Sequence, residues 1–245
     1  MCGHTPNYFQ AIAALPPHTH IHKMTSRGAN CFKSGNAYEK QIHAILQRAR
    51  IHRIRIDVVG ASAGATAGSD IQIRAEDGEL IGVEVKNKGA FEGGCKKLTY
   101  NGSTLGITED CIHKEILGEH SLYNGANFPY YEGKRTAADW AAVEAVFKPD
   151  NYIDAEPDTI NRYYSSKGTY YIQIEGLGLY HTGNDIFELG VPEFSAAIKL
   201  RIRCTKHMKN GIPTDITAAL QFDRRSIKKS PYSLDGALPP TIELA

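Results

Sequence analysis

The chain lacks most of the features that announce a function outright. Its 28 Lys+Arg against 27 Asp+Glu leave a formal net charge of +1. No overall field therefore draws it to nucleic acid or to an anionic membrane, and a nucleic-acid partner requires the basic residues to be gathered on one face. Its five cysteines (Cys2, Cys31, Cys95, Cys111 and Cys204) are odd in number and contain no Cys-x-x-Cys pair. That spacing argues against a zinc ribbon and a disulfide framework, and for a reducing compartment. Long apolar runs are missing too: Ala11 to Leu15 is too short to span a bilayer and has no basic flank ahead of it. The expectation is a soluble, cytoplasmic protein without a membrane partner. At 245 residues and 42% hydrophobic content, the chain suits one large domain, or a core carrying a substantial insertion.

Nucleotide-binding signatures are also absent. Gly60-Ala-Ser-Ala-Gly64-Ala-Thr-Ala-Gly68 follows a strand pattern. It has neither the Gly-x-Gly-x-x-Gly that opens a dinucleotide-binding helix nor the terminal Gly-Lys-Ser/Thr of a P-loop. It reads as a loop near a site or a DNA backbone rather than as a phosphate cradle. His18, His20 and His22 would share one face of a strand and suit a metal. Among Pro6, Pro16 and Pro17 they read instead as a solvated lead-in.

What is present is a hairpin pattern from Ser69 to Lys88. Ile71 and Ile73 alternate with polar residues, as do Ile81, Val83 and Val85, and Glu76-Asp77-Gly78 supplies turn chemistry between them. With Ala75 and Glu79 flanking a three-residue loop, Ile71 faces Val83 and Ile73 faces Ile81 on one side. Asp70 then falls opposite Glu84 on the other, with Lys86 two residues along the same face. A two-residue loop moves Asp70 to the apolar side, and the apolar pattern rejects it.

This register puts two carboxylates about 5 Å apart at their β-carbons, beside a lysine. Like charges that close repel, more so when buried. A hard divalent cation removes the conflict, since Mg²⁺ is held by one or two carboxylates together with waters and phosphate oxygens. A surface hairpin with a charged polar face is the plainer alternative. Asp70 followed by Glu84-Val85-Lys86 on the next strand resembles the active-site motif of the PD-(D/E)XK nuclease superfamily, which includes many type II restriction endonucleases. Ser69 stands where the family name has Pro, a variable position in such motifs. The resemblance implies Asp70 and Glu84 as Mg²⁺ ligands, Val85 as a ligand through its backbone carbonyl, and Lys86 as the catalytic lysine.

The surroundings match that order. A helix is predicted from Asn36, with Tyr38, Ile42, Ile45, Leu46 and Ala49 at helical spacing. Asn36 is a suitable N-cap, and Glu39 completes a capping box. The resemblance gives Glu39 a second, compatible role, reaching the metal centre from the helix ahead of the strands. A strand is predicted over Ile51 to Val59. Helix, strand, strand, strand is the superfamily's opening order, continuing into a helix and a further strand.

After Lys88, Gly93-Gly94 allows close backbone approach, and Lys88, Lys96 and Lys97 are placed to touch phosphate; the alternative is a plain loop leading into a short helix. Residues 99–168 read as a loop-rich, acidic insertion with a helix near Ala137 to Phe147. Strands are expected at Thr169 to Glu175 and Ile186 to Leu189. A second hairpin follows, in which Ile198, Leu200 and Ile202 alternate with Lys199, Arg201 and Arg203. From Lys199 to Lys229 there are nine Lys/Arg against only Asp215 and Asp223. Such a basic ribbon suits a DNA groove, with Arg201, Arg203, Lys206 and Lys209 as contacts; lysines guarding an exposed sheet edge give the same pattern.

The reading is a single α/β domain with a restriction-endonuclease-like mixed central sheet flanked by helices. Residues 35–98 form the catalytic core, and an additional antiparallel β region occupies 169–230. The expected activity is Mg²⁺-dependent endonucleolytic hydrolysis of double-stranded DNA by a type II restriction enzyme, acting as a homodimer. A repair or recombination nuclease and a non-catalytic nucleic-acid-binding module are the alternatives.

Overall fold

The computed structural model describes residues 26–51, 54–55, 57–59, 68–89, 92–100, 105–118, 151–209, 212–236 and 242–243. The elements in chain order are α1 (Ser26–Leu46), β1 (Ala49–Ile51), β2 (Ile54–Arg55), β3 (Asp57–Val59), β4 (Ile71–Arg74), β5 (Leu80–Lys86) and β6 (Glu92–Lys97). Next come β7 (Thr99–Tyr100), β8 (Leu105–Gly106), α2 (Ile112–Leu117), β9 (Asn151–Ala155), α3 (Thr159–Ser165), β10 (Thr169–Ile174) and β11 (Gly178–His181). The last are β12 (Ile198–Lys209), β13 (Ile212–Phe222) and β14 (Ile242–Glu243). No described helix is long and apolar enough to cross a membrane.

The architecture is α/β, with a mixed sheet and an antiparallel sheet flanked by few helices. The mixed sheet has the order β11-β10-β5-β4-β3. Its parallel pair is β10 with β5, Ile172 beside Glu84 and Ile174 beside Lys86; β3, β4 and β11 run antiparallel to their neighbours. The second sheet, in the order β6-β13-β12-β9, is antiparallel throughout.

Alternation along the strands divides the core in two. On one face of the mixed sheet, Ile71, Ile73, Ile81, Val83, Val85 and Tyr171 pack against Tyr38, Ile42, Ile45 and Leu46 of α1. On the other face, Ile172 and Ile174 join Ile160 and Tyr164 of α3 and the inner face of the second sheet, Ile198, Leu200, Ile202, Ile216, Ala218 and Leu220. β5 is buried from Ile81 to Val85 because it lies between β4 and β10 with packing on both faces.

Several expectations need correction. α1 starts at Ser26, so Asn36 and Glu39 lie inside the helix and form no capping box. The weak helix formers Gly28, Asn30 and Gly35 disguise this first half, but no proline breaks it. The strand expected over Ile51 to Val59 is divided: β1 and β2 pair with each other and join β14 in a separate small sheet, and only β3 reaches β4. Glu92 to Lys97 is a strand rather than a loop and short helix, because β13 offers it an edge. Ile186 to Leu189 is a turn region, and the strand beside β10 is β11. Within residues 99–168, β9 joins the second sheet, and α2 and α3 pack against the core. The predicted helix at 137–147 and the histidines at 18, 20 and 22 lie outside the described residues.

His113 of α2 carries a pH dependence. It is wholly buried, and its Nε2 donates to the Gly94 carbonyl at 3.2 Å. Nδ1 has no hydrogen-bond partner. Burial holds its pKa below the usual 6.5, because a proton on Nδ1 would put an unmatched charge in the core. The unfolded chain takes up that proton below about pH 6.5 and the folded one does not. The contribution of His113 should therefore be complete above that pH and fall by at most about 1.4 kcal/mol per unit below it, until the folded pKa is reached. The difference in melting temperature between wild type and His113→Gln, followed from pH 7.5 to 4.5, reads this contribution and should move against wild type as the pH falls.

Candidate active site

The register argued for the hairpin is the one found. Ile71 pairs with Val83 and Ile73 with Ile81. Gly78 closes the loop at φ 90°, and Ala75 N–H donates to the Glu79 carbonyl at 2.8 Å. The ladder stops at Ile71, one residue short of Asp70. There the buried Ser69 turns over Gly82, its Oγ 2.5 Å from Thr169 Oγ1. Asp70 follows from this crossing, and its Oδ2 accepts the backbone N–H of Val85 at 2.8 Å.

Asp70, Glu84 and Lys86 are brought together at one end of the mixed sheet. Glu84 is 5% exposed, and its Oε1 accepts from Lys86 Nζ at 2.5 Å. Its Oε2 is buried without a hydrogen-bond partner. Burial, then the charge of Glu84, pushes the Asp70 carboxyl up to about 7, against the pull of Lys86 and the Val85 N–H. Burial works to lower the Lys86 pKa, but the carboxylates of Glu84 and Asp70 overcome it and the net shift is upward, so Lys86 stays an ammonium ion.

Two residues at the site were missed in sequence. Lys167, in the turn after α3, has its Nζ 4.0 Å from Glu84 Oε2 and 5.3 Å from the centre of the Tyr163 ring. Tyr163 feels burial first and then Glu84, both raising its pKa. The Gly93-Gly94 pair is what admits this helix. A Cβ on Gly93 would lie 2.7 Å from Ile160 Cδ1, and one on Gly94 would lie 2.7 Å from Tyr163 Cζ. Close approach was expected of these glycines, and it is α3 that approaches. The sequence signal that could have found it was Gly168, which at φ 68° closes the turn after α3.

Glu39 lies half-buried on α1, near enough for its charge to contribute to the raised pKa of Asp70. Val85 turns its side chain into the α1-facing core and offers only backbone to the site. Lys88 is exposed just past β5; its N–H donates to Glu175 at 2.9 Å, and its carbonyl accepts from Arg224 at 2.7 Å. Arg201 is half-buried and paired with Glu92, which also lies 3.9 Å from Arg203. Lys206 and Lys209 belong to β12, but their side chains lie outside the description.

Among the described residues no group of three or more His, Cys, Asp and Glu stands ready to hold a metal. A divalent cation nonetheless fits here. The pair of close, desolvated carboxylates has an oxygen without a hydrogen-bond partner, and Mg²⁺ takes its remaining ligands from water and phosphate.

The same pair predicts a stability effect. In EDTA, ionised Asp70 beside Glu84 destabilises the fold, because its folded pKa lies above that of the unfolded chain. The contribution is harmless below about pH 4 and is fully felt above about pH 7. Asp70→Asn should therefore stabilise the metal-free protein at pH 8 by on the order of 2 kcal/mol. A melting temperature equal to or below that of wild type would contradict this.

Comparison of the chain with protein-family models, with curated proteins and with solved structures found no match. The functional reading rests on the chemistry of the site.

Proposed function

We propose that this protein is a Mg²⁺-dependent endonuclease that hydrolyses DNA phosphodiester bonds, with a restriction-endonuclease-like core and the role of a type II restriction enzyme. The observation that carries the reading is half-buried Asp70 beside buried Glu84, with Lys86 hydrogen-bonded to Glu84 at 2.5 Å. The order of elements is compatible with it: α1 precedes β3, β4 and β5, and after β6 to β9 and α2 the helix α3 leads into β10, which runs parallel to β5.

Asp70 and Glu84 would hold the ion, with the Val85 carbonyl as a further ligand and Glu39 supporting from α1. The ion supplies positive charge where the pentavalent phosphate gathers negative charge. Lys86, held on Glu84 as an ammonium ion, adds positive charge beside it. It becomes a base toward water only when Glu84's charge is neutralised elsewhere. The buried walls of the site strengthen each of these interactions. A homodimer suits the reaction, because two-fold symmetry matches a palindromic site cut on both strands.

The test is plasmid DNA incubated with the protein in Mg²⁺ and in EDTA. Discrete bands in Mg²⁺ alone are expected. A smear would instead mark a non-specific repair-type nuclease. Binding in EDTA with no nicking in Mg²⁺ would leave only a nucleic-acid-binding module and sink the catalytic reading.

A further inference from the structure

We infer that Lys167 is a second cationic arm of this site, contacting a phosphate of bound DNA while Lys86 remains on Glu84; the inference rests on the nuclease reading above. The two lysines are placed differently. Lys86 is 14% exposed and hydrogen-bonded to Glu84, whereas Lys167 is 29% exposed and stands 4.0 Å from the same carboxylate. At that separation Lys167 is in ion-pair range but beyond a hydrogen bond, so its donors are not committed to Glu84.

Its root is fixed to the catalytic strand. The Gly168 carbonyl accepts Gly82 N–H at 2.8 Å, Lys167 N–H donates to Tyr164 at 3.0 Å, and Thr169 holds Ser69. The head is held more loosely. Its contact with the Tyr163 ring at 5.3 Å is a weak cation–π attraction at a partly exposed position. A charge-assisted bond to a phosphate oxygen is stronger. A fixed root, a loosely held head and a partly open flank are the requirements for a phosphate clamp.

Charge makes the same demand. Asp70, Glu84 and, farther off, Glu39 place three carboxylates at the site beside Lys86. Without an ion that negative excess repels a phosphodiester, and a divalent ion on the pair would cancel it without leaving a surplus of positive charge. Lys167 is the second cation in contact with Glu84, and it reduces that excess.

The experiment uses the full chain, with Lys167→Met and Lys167→Gln to remove the charge and Lys167→Arg to restore it. Affinity for a fluorescent DNA duplex is measured in EDTA and in Ca²⁺ between 50 and 300 mM KCl. Steady-state cleavage is followed in Mg²⁺. Both neutral variants should bind about three- to tenfold more weakly, with the salt slope reduced by about one. KM should rise more than kcat falls, and Lys167→Arg should recover both slope and KM. A purely structural role would lower the melting temperature and leave the slope intact, which overturns the inference. If wild type binds and cuts while a folded neutral variant matches its affinity and slope, the inference fails and the nuclease reading stands. If wild type neither binds nor cuts, both fall.

Discussion

Replacing any one of Asp70, Glu84 and Lys86 is expected to lower Mg²⁺-dependent cleavage by roughly two to four orders of magnitude, the range for losing a positioned acid–base group or a charge-stabilising one. The replacements differ in what they leave behind. Asp70→Asn removes one of two repelling charges and leaves the fold at least as stable. Glu84→Ala removes the hydrogen-bond partner of a poorly exposed cation, and breaking a buried pair from one side costs about 3–5 kcal/mol. Part of that is recovered here because Lys86 keeps the charge of Asp70 nearby and some contact with solvent. Glu84→Gln is the better probe, since it keeps an acceptor within reach of Lys86 Nζ. Lys86→Ala leaves Glu84 against Lys167 alone, 4.0 Å away. The measurement is single-turnover cleavage beside a melting curve for each variant. Full cleavage by any folded variant among the three would refute the assignment of that residue.

Gly82→Ala should unfold the protein far below the wild-type melting temperature, by roughly 3 kcal/mol or more, because overpacking against backbone cannot relax through a rotamer change. A Cβ at position 82 would collide with Ser69 Oγ, lie 2.7 Å from Ser69 Cβ and stand 2.5 Å from the Gly168 carbonyl oxygen. The serine belongs to the crossing that delivers Asp70, and the carbonyl belongs to the turn that carries Lys167. For a chain of this size, each kcal/mol lowers the melting temperature by roughly 2–4 °C, so a drop of about 6–12 °C or more is expected. Ser69→Gly combined with Gly82→Ala should recover only part of it, since the clash with Gly168 remains. A Gly82→Ala protein that melts like wild type would mean that β5 and the Lys167 turn are not packed this closely.

The hairpin was legible because its information is local. A Glu-Asp-Gly turn and alternating isoleucines and valines leave one register that buries the apolar side chains, and the pairing of Ile71 with Val83 follows. The helical stripe from Tyr38 to Leu46 was legible for the same reason. Arg201 and Arg203 show the limit of such reading. Their alternation with buried Ile and Leu was readable, but their pairing with Glu92 was not, because β6 reaches that sheet only through β13.

Alternation and turn chemistry, acting over a few residues, thus determined the hairpin that Asp70 leads into and that carries Glu84 and Lys86, and which of its faces is apolar. Tertiary structure alone decided that α3 lies over them, that Lys167 approaches Glu84 from 83 residues farther along the chain, and that Asp70 turns inward just past the end of its strand. These outcomes depend on the space at Gly82, Gly93 and Gly94 and on which distant element fills it. No short window of sequence carries that information, because a glycine shows where a neighbour may come close without showing which neighbour comes.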